Sequence, residues 1–222
     1  MIINNTHRFI FVHIPKTAGT SVTSALSNFS NFHDIEIGGT QLGEAIQPYM
    51  RKRYGLHKHA SASKIREVMG PAVFDGFRSF AFVRNPFSRL QSSYHFLKSW
   101  ANFSGPFSDE FDKCSSFSEF LASEIWIEFS GPDEIFRPQT YWLNDPKTGR
   151  RLVNFIGKLE DLSSDVGSLS EFLFAQSGRL KLENLNKTPS YKKLTEWPDR
   201  SVEKCLEFYA ADFQQLQYSE SL

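Results

Sequence analysis

One stretch near the start of the chain, residues 9–21, constrains the fold more than any other. Its first part, residues 9–12, is a short apolar run of the kind that forms a strand covered on both faces. Pro15 then prevents further strand pairing. Apolar residues at i, i+3, i+4 and i+7 predict a helix after it, and they are Val22, Ala25, Leu26 and Phe29. The stretch therefore predicts a strand, a tight turn and a helix.

The predicted turn has the residues of an anion-binding site. Backbone N–H groups converge at the N-terminus of a helix, and Gly19 lets the backbone approach an oxyanion closely. Lys16 adds a positive charge, and the added hydroxyl donors are Thr17, Thr20 and Ser21. A plain strand-turn-helix with a solvated lysine is the alternative. Because the lysine precedes the glycine, the order differs from the Gly-Lys-Ser/Thr of an ordinary P-loop NTPase, which is disfavoured.

Composition limits the class of protein. The 222 residues suffice for one α/β domain, and 25 Lys and Arg balance 25 Asp and Glu. A balanced charge gives no overall field of the kind that a general nucleic-acid binder carries. Two distant cysteines without a Cys-x-x-Cys motif predict free thiols, with neither a disulfide nor a metal site. No stretch approaches about 18 apolar residues and the first strand comes early, so we expect a cytoplasmic protein without a transmembrane segment.

A second strand-turn-helix unit lies at residues 79–97. Residues 79–83 predict a strand, and Asn85 and Pro86 are typical of the N-cap and first position of a helix. Phe87, Leu90, Tyr94 and Leu97 give that helix an apolar stripe, with Arg89 and Ser92 off it. Arg84 follows the carboxyl end of the strand, where α/β sheets bind ligands. Arg84 and Ser92 can hydrogen-bond to a phosphate; a capping arginine and a surface serine are the alternative.

The rest of the chain carries weaker signals. Residues 30–40 predict a loop, residues 41–53 a helix interrupted near Pro48, and residues 152–156 a third strand. Residues 51–66 contain six Lys or Arg and no Asp or Glu, which is either a solvated face or a surface for an anionic acceptor. Within this run, His57 and His59 point the same way only if the segment is extended. No third metal ligand stands at a recognisable spacing.

These segments resemble motifs of the carbohydrate sulfotransferases, enzymes that use 3′-phosphoadenosine-5′-phosphosulfate. The residues His13-Ile14-Pro15-Lys16-Thr17-Ala18-Gly19-Thr20-Ser21 resemble their 5′-phosphosulfate loop, and residues 82–92 are similar to their 3′-phosphate motif. His57-Lys58-His59 is similar to the paired-histidine segment that supplies the base in the uronyl 2-O-sulfotransferase branch. Fainter likenesses lie at residues 159–162, 185–188 and 208–213. His13 departs from the arginine that this branch tends to carry.

The resemblance implies a fold, a reaction and a set of site residues. The fold is a three-layer, P-loop-like α/β fold of one domain, residues 1–222, with a mostly parallel sheet. The reaction moves the donor's sulfuryl group to a hydroxyl of a carbohydrate or other acceptor, which can be anionic, and uses no metal. His59, with an ordinary imidazole pKa of about 6.5, acts as base. His57 orients or replaces it, and Lys16 neutralises the leaving group. The implied donor-binding residues are Pro15, Lys16, Thr17, Ala18, Gly19, Thr20, Ser21, Arg84, Ser92, Lys187 and Thr188.

Two other classes of protein stay open at this stage. A small-molecule kinase would use the same anion loop but needs carboxylates that hold Mg²⁺, and neither predicted strand before residue 100 ends in Asp or Glu. A non-catalytic nucleotide- or glycan-binding protein would keep the loop and lack the base, whereas His59 favours an enzyme. The sequence determines neither the acceptor nor the oligomeric state.

Overall fold

The computed structural model describes residues 1–100, 106–131, 134–182 and 197–222. Lys187 and Thr188, two of the predicted donor-binding residues, lie outside these ranges. The described residues divide into two compact units, each with its own hydrophobic core. The sheet unit contains the described residues of Met1–Val83 and Gln139–Lys187, and the helical unit those of Arg84–Pro138 and Thr188–Leu222. That the whole chain forms one sulfotransferase domain stays a prediction.

The sheet unit is built on five strands in the order β3-β1-β2-β4-β5. They are β1 (Ile2–Asn4), β2 (Phe9–Phe11), β3 (Ile35–Glu36), β4 (Arg78–Val83) and β5 (Phe155–Lys158). β2, β4 and β5 are parallel, whereas β1 is antiparallel to β2 and β3. The sheet is therefore mixed, and the prediction of a mostly parallel sheet is wrong on the β1 side. Only residues 5–8 join β1 to β2, too few for the crossover that a parallel connection needs.

The described helices, in chain order, are α1 (Gly19–Ser27), α2 (Gln41–Tyr54), α3 (Ala62–Met69), α4 (Pro71–Asp75), α5 (Pro86–Ser99), α6 (Pro106–Phe111), α7 (Phe117–Ser123), α8 (Ile125–Glu128), α9 (Thr140–Leu143), α10 (Leu162–Phe174), α11 (Asp199–Phe208) and α12 (Ala210–Leu216). The predicted interruption near Pro48 is wrong, because α2 continues through it. Pro48 has no backbone N–H, so one carbonyl group of the preceding turn lacks its helical hydrogen-bond donor. Because Pro48 is exposed, water can donate to that carbonyl group instead. None of the described helices is both long and apolar enough to cross a bilayer.

The core of the sheet unit fixes the two ends of the loop between β2 and α1. Val22 and Leu26 are fully buried on one face of α1 and belong to the same cluster as Phe9 and Phe80 of the sheet. Burial of each such side chain contributes about 1.5–3 kcal/mol to folding. The predicted stripe is confirmed for Val22, Ala25 and Leu26, whereas Phe29 lies beyond the end of α1 and packs against the same cluster partly buried. Residues 15–18 therefore connect two elements that are both anchored in the core.

In the helical unit, α5 begins where the sequence predicts. The side-chain oxygen of Asn85 accepts hydrogen bonds from the backbone N–H groups of Phe87 and Ser88, at 3.0 and 3.3 Å. The predicted apolar stripe is buried. Arg89, predicted to lie off the stripe, is buried as well, because its guanidinium donates to the carbonyl groups of Ile135 and Arg137 at 2.8 and 3.0 Å.

Candidate active site

The loop of residues 15–18 has an unusual backbone. Lys16 (φ 68°) and Ala18 (φ 66°) lie in the left-handed region, whereas Thr17 between them does not. This conformation costs a non-glycine residue about 1–2 kcal/mol, and such strain concentrates at functional sites. Backbone segments that alternate between right- and left-handed conformations are typical of nests, in which successive N–H groups bind an anion. The backbone is therefore shaped to receive an anion.

Helix α1 starts directly after this loop without a side-chain cap. Its N-cap residue, Ala18, makes no side-chain hydrogen bond, and its first turn contains no acidic residue. The first N–H groups of a helix have no partner inside the helix, and they carry a partial positive charge. An anion satisfies both properties. Lys16, half-buried in the same loop, carries a full positive charge.

The hydroxyl groups predicted to bind the anion differ in their surroundings. Thr17 is 1 % exposed, and its hydroxyl donates to the carbonyl oxygen of Ile14 at 3.0 Å. This bond closes the loop on itself, so the hydrogen of this hydroxyl serves to hold the loop shape. Thr20 is exposed and Ser21 is half-buried in the first turn of α1. These two hydroxyl groups therefore lie in the same first turn as the N–H groups that have no side-chain cap.

His13 packs against the first residue of α1. The ring is 3 % exposed, stacks on Phe11 with 5.5 Å between centroids, and lies edge-on to His59 at 4.6 Å. A Cβ atom at Gly19 would lie 1.7 Å from Nε2 of His13, so only glycine fits there. Burial, and secondarily the neighbouring His59, holds the pKa of His13 well below its ordinary value. The ring is therefore neutral at pH 7.

Gly19→Ala is expected to destabilise the protein by about 1–3 kcal/mol, because the added methyl group must displace the His13 ring. Gly167→Ala is the matched control. Gly167 lies inside α10, and apart from its two chain neighbours and the nearby helix backbone, no atom of the described residues comes within 4 Å of the place that a Cβ atom would take. Alanine there should leave stability unchanged or raise it slightly. Urea unfolding of both variants measures the difference. Equal free energies of unfolding would contradict the contact between His13 and Gly19.

His59 is held through its ring and through its backbone. Nδ1 lies 2.8 Å from the carbonyl oxygen of His13. Because a carbonyl oxygen only accepts, Nδ1 carries the hydrogen of the neutral ring and Nε2 carries the lone pair. The carbonyl oxygen of His59 accepts a hydrogen bond from the indole N–H of Trp142, also at 2.8 Å. His59 thus has a fixed tautomer with an unprotonated Nε2, which is the form that a general base requires.

The pKa of His59 is lowered from its ordinary value of 6.5 to about 3. Burial is the main cause, and the bond to the His13 carbonyl opposes it only in part. The expectation of an ordinary imidazole pKa is therefore wrong, because the side chain is 9 % exposed. The ring is neutral across the physiological pH range.

Protein stability is expected to fall as the pH drops from about 6.5 toward 3. In the unfolded chain His59 titrates near its ordinary pKa of about 6.5, whereas in the folded protein it titrates at about 3. Between these values the unfolded chain binds more protons, so acid favours unfolding. The lowered pKa of His13 acts in the same direction. Urea unfolding near neutral and near mildly acidic pH tests this, and His59→Asn should reduce the dependence. A pH-independent free energy of unfolding would contradict it.

His57 and His59 do not form the extended pair considered from the sequence. The segment is a turn in which the N–H of Ala60 donates to the carbonyl of His57 at 2.9 Å. The backbone N–H of His59 also reaches Nδ1 of His57 at 3.4 Å. His57 therefore contacts the backbone of His59 and supports the turn. Within the described ranges, no cluster of three or more His, Cys, Asp or Glu side chains has the arrangement of a metal site.

Three residues of the basic run at residues 51–66 form ion pairs with carboxylates. The ion pairs are Lys58 with Glu44 at 3.3 Å, Lys64 with Glu67 at 2.9 Å and Arg66 with Asp75 at 2.9 Å. These carboxylates lie outside the run in sequence, so a count of charges within it does not reveal them. Arg51, Lys52 and Arg53 lie exposed in the last turn of α2, where cations also offset the helix dipole.

The two residues predicted to bind the 3′-phosphate, Arg84 and Ser92, lie in the helical unit just before α5 and on it. Arg84 is half-buried and directly precedes the N-cap, and Ser92 is 8 % exposed on α5. Asn85 already accepts from two of the first N–H groups of α5. A phosphate here would therefore depend on the side chains of Arg84 and Ser92 more than on the helix terminus.

Two further residues of the candidate site, His13 and Trp142, differ in whether the sequence alone could reveal them. His13 is a polar residue within an otherwise apolar segment, residues 9–14, which marks it as unusual. Trp142 stands 83 positions from His59, and its indole bonds to a backbone carbonyl. Because a bond to the backbone depends on no side-chain identity at the acceptor, no motif could have predicted it.

A buried strand that leads into a loop with two left-handed residues, followed by a helix without a side-chain cap, is an arrangement typical of sites that hold phosphate or sulfate groups. Comparison with known proteins identifies the family. A family model described as "Sulfotransferase family" matches residues 1–219. The chain therefore belongs to the sulfotransferase family, which confirms the resemblance and supports a sulfotransferase, and hence a transferase, activity.

One relative is a protein of Archaeoglobus fulgidus that is named only as uncharacterized. It is 33 % identical over 108 residues, which cover 47 % of this chain and 74 % of that protein. Its name adds nothing about donor or acceptor. No solved structure matches the chain.

Proposed function

We propose that the protein transfers the sulfuryl group of 3′-phosphoadenosine-5′-phosphosulfate to a hydroxyl group of a carbohydrate. The observation that carries the proposal is the loop with left-handed Lys16 and Ala18, followed by the uncapped start of α1, in a member of the sulfotransferase family. The donor supplies an activated sulfuryl group on a phosphate leaving group. Residues of the chain must bind the donor, stabilise the leaving phosphate and accept the proton of the acceptor hydroxyl.

The loop is the part of the chain proposed to bind the 5′ end of the donor. Its N–H groups and the Thr20 and Ser21 hydroxyls would donate to the anionic oxygens. As the bond between sulfur and the phosphate oxygen breaks, negative charge grows on that oxygen. The ammonium group of Lys16 would stabilise this charge most in the transition state, and such an interaction raises turnover rather than affinity.

Nε2 of His59 is proposed to accept the proton of the acceptor hydroxyl. The hydroxyl oxygen attacks sulfur in line, the bond to the phosphate oxygen breaks on the opposite side, and the proton passes to Nε2. The carbonyl group of His13 continues to hold Nδ1–H and stabilises the imidazolium that forms. A bound anion also raises the pKa of an adjacent imidazole, so the base becomes stronger when the loop is filled.

Arg84 and Ser92 are proposed to bind the 3′-phosphate. We expect Arg84→Ala to weaken the binding of adenosine 3′,5′-bisphosphate by roughly 1.5–3 kcal/mol, the value of a hydrogen bond to a charged group. The binding of adenosine 5′-monophosphate, which lacks the 3′-phosphate, should weaken far less. Arg53→Ala, which removes an exposed arginine of α2, controls for the general loss of positive charge. Calorimetry measures both ligands on both variants. Equal weakening of the two nucleotides by Arg84→Ala would show that this residue does not recognise the 3′-phosphate.

Calorimetry of the wild-type protein tests the function as a whole. The protein is titrated with adenosine 3′,5′-bisphosphate and, separately, with ATP and Mg²⁺. A sulfotransferase should bind the bisphosphate more tightly, because the 3′-phosphate distinguishes its donor from ATP. Tighter binding of ATP would favour a small-molecule kinase and reject the proposal. Sulfate transfer to carbohydrate acceptors, measured with labelled donor, then separates an enzyme from a non-catalytic nucleotide-binding protein.

A further inference from the structure

His13 is a buried polar side chain whose ring has no role in the chemistry proposed above, which uses only its backbone carbonyl. Its ring atom Nδ1 has no hydrogen-bond partner in the part of the chain that the structure describes. A buried nitrogen without a partner lowers stability, and an apolar ring of the same size would avoid this cost. The presence of a histidine rather than an apolar ring here therefore points to a use of the ring beyond packing.

The ring is held at the start of α1. Nε2 occupies the space into which a side chain at residue 19 would project, since a Cβ atom there would lie 1.7 Å from it. Phe11 stacks on the ring at 5.5 Å, and His59 meets it edge-on at 4.6 Å. These contacts direct the Nε2 end toward the helix terminus that has no side-chain cap.

We propose that His13 donates a hydrogen bond from Nε2 to the anion that binds at the N-terminus of α1, and so positions the donor. The inference rests on the proposed function, in which this anion is the 5′-phosphosulfate group. In the tautomer with hydrogen on Nε2, the unpartnered Nδ1 carries only a lone pair. The neutral ring adds a directional donor without adding a second positive charge next to Lys16.

Three substitutions separate the two ring nitrogens. His13→Phe keeps an aromatic ring and removes both nitrogens, His13→Gln places an amide nitrogen near the position of Nε2, and His13→Asn places one near the position of Nδ1. Each variant is titrated by calorimetry with adenosine 3′,5′-bisphosphate and with adenosine 3′-monophosphate, which lacks the 5′ group. Thermal unfolding of each variant reports its folding.

The expected result is selective. His13→Phe and His13→Asn should weaken the bisphosphate about 10–100-fold, as loss of a hydrogen bond to a charged group does, and leave the 3′-monophosphate unchanged. His13→Gln should restore most of the bisphosphate affinity. Equal weakening of both ligands, full affinity in His13→Phe, or no restoration by His13→Gln would each overturn the inference. A wild-type protein that binds no bisphosphate would instead overturn the proposed function, and this inference with it.

Nitrogen-15 NMR of the wild-type histidine rings supplies a test that needs no folded variant. Addition of the bisphosphate should shift the Nε2 resonance of His13, whereas the exposed ring of His33 should not respond. Addition of adenosine 3′-monophosphate should leave His13 unchanged. A His13 resonance that ignores the bisphosphate would overturn the proposed contact.

Discussion

His59→Asn is expected to lower turnover by about 10²–10⁴-fold, the usual contribution of general base catalysis. An asparagine side-chain N–H can still donate to the carbonyl of His13, as Nδ1–H of His59 does at 2.8 Å. The substitution therefore removes the lone pair of Nε2 and keeps the hydrogen bond to the carbonyl group of His13. Affinity for adenosine 3′,5′-bisphosphate should remain nearly unchanged, because the loss falls on the transition state and not on the bound nucleotide.

His57→Ala is the matched control for this prediction. His57 contacts the backbone of His59 through a long hydrogen bond of 3.4 Å, so its removal should cost much less turnover. Steady-state kinetics with labelled donor and calorimetry with the bisphosphate measure the two effects separately. Substantial turnover in His59→Asn would reject His59 as the base, and a larger loss in His57→Ala would transfer the role to His57.

Lys16→Ala is expected to lower turnover by about 10²–10³-fold, the value of one group that stabilises developing charge in a transition state. The leaving phosphate oxygen gains charge only as its bond to sulfur breaks, so the loss should appear mainly in kcat. Kinetics with saturating donor measure this. Bisphosphate affinity should fall by a smaller factor, because the loop N–H groups remain.

Lys16→Gly separates the charge of this residue from its backbone strain. Lys16 has a φ of 68°, and glycine adopts this conformation without the cost of about 1–2 kcal/mol that other residues incur. The glycine variant should therefore be as inactive as the alanine variant, although glycine adopts the loop conformation with less backbone strain. Wild-type turnover in Lys16→Gly would show that the positive charge of this lysine contributes nothing to catalysis.

Local pattern alone predicted the elements that position the candidate site. The predicted strands at residues 9–12 and 79–83 correspond to Phe9–Phe11 and Arg78–Val83. A helix follows each strand, and α5 begins at Pro86 as predicted. The third strand begins three residues later than predicted, because the N–H of Leu152 bonds to Leu143 and not to β4. β3, in a segment predicted to be a loop, has two residues and pairs with β1. Strands this short depend on a distant partner more than on their own composition.

The sequence by itself determined the Asn85 cap and the family, and it predicted an anion-binding role for the loop at residues 15–21, because each depends on residues that are neighbours along the chain. Tertiary structure alone decided the mixed sheet, the burial of Arg89 and the pairing of the basic run. It also decided the state of His59, since its tautomer depends on a carbonyl group 46 positions away and its lowered pKa on burial. Desolvation and hydrogen bonds to the backbone arise only when distant segments meet, so no motif records them.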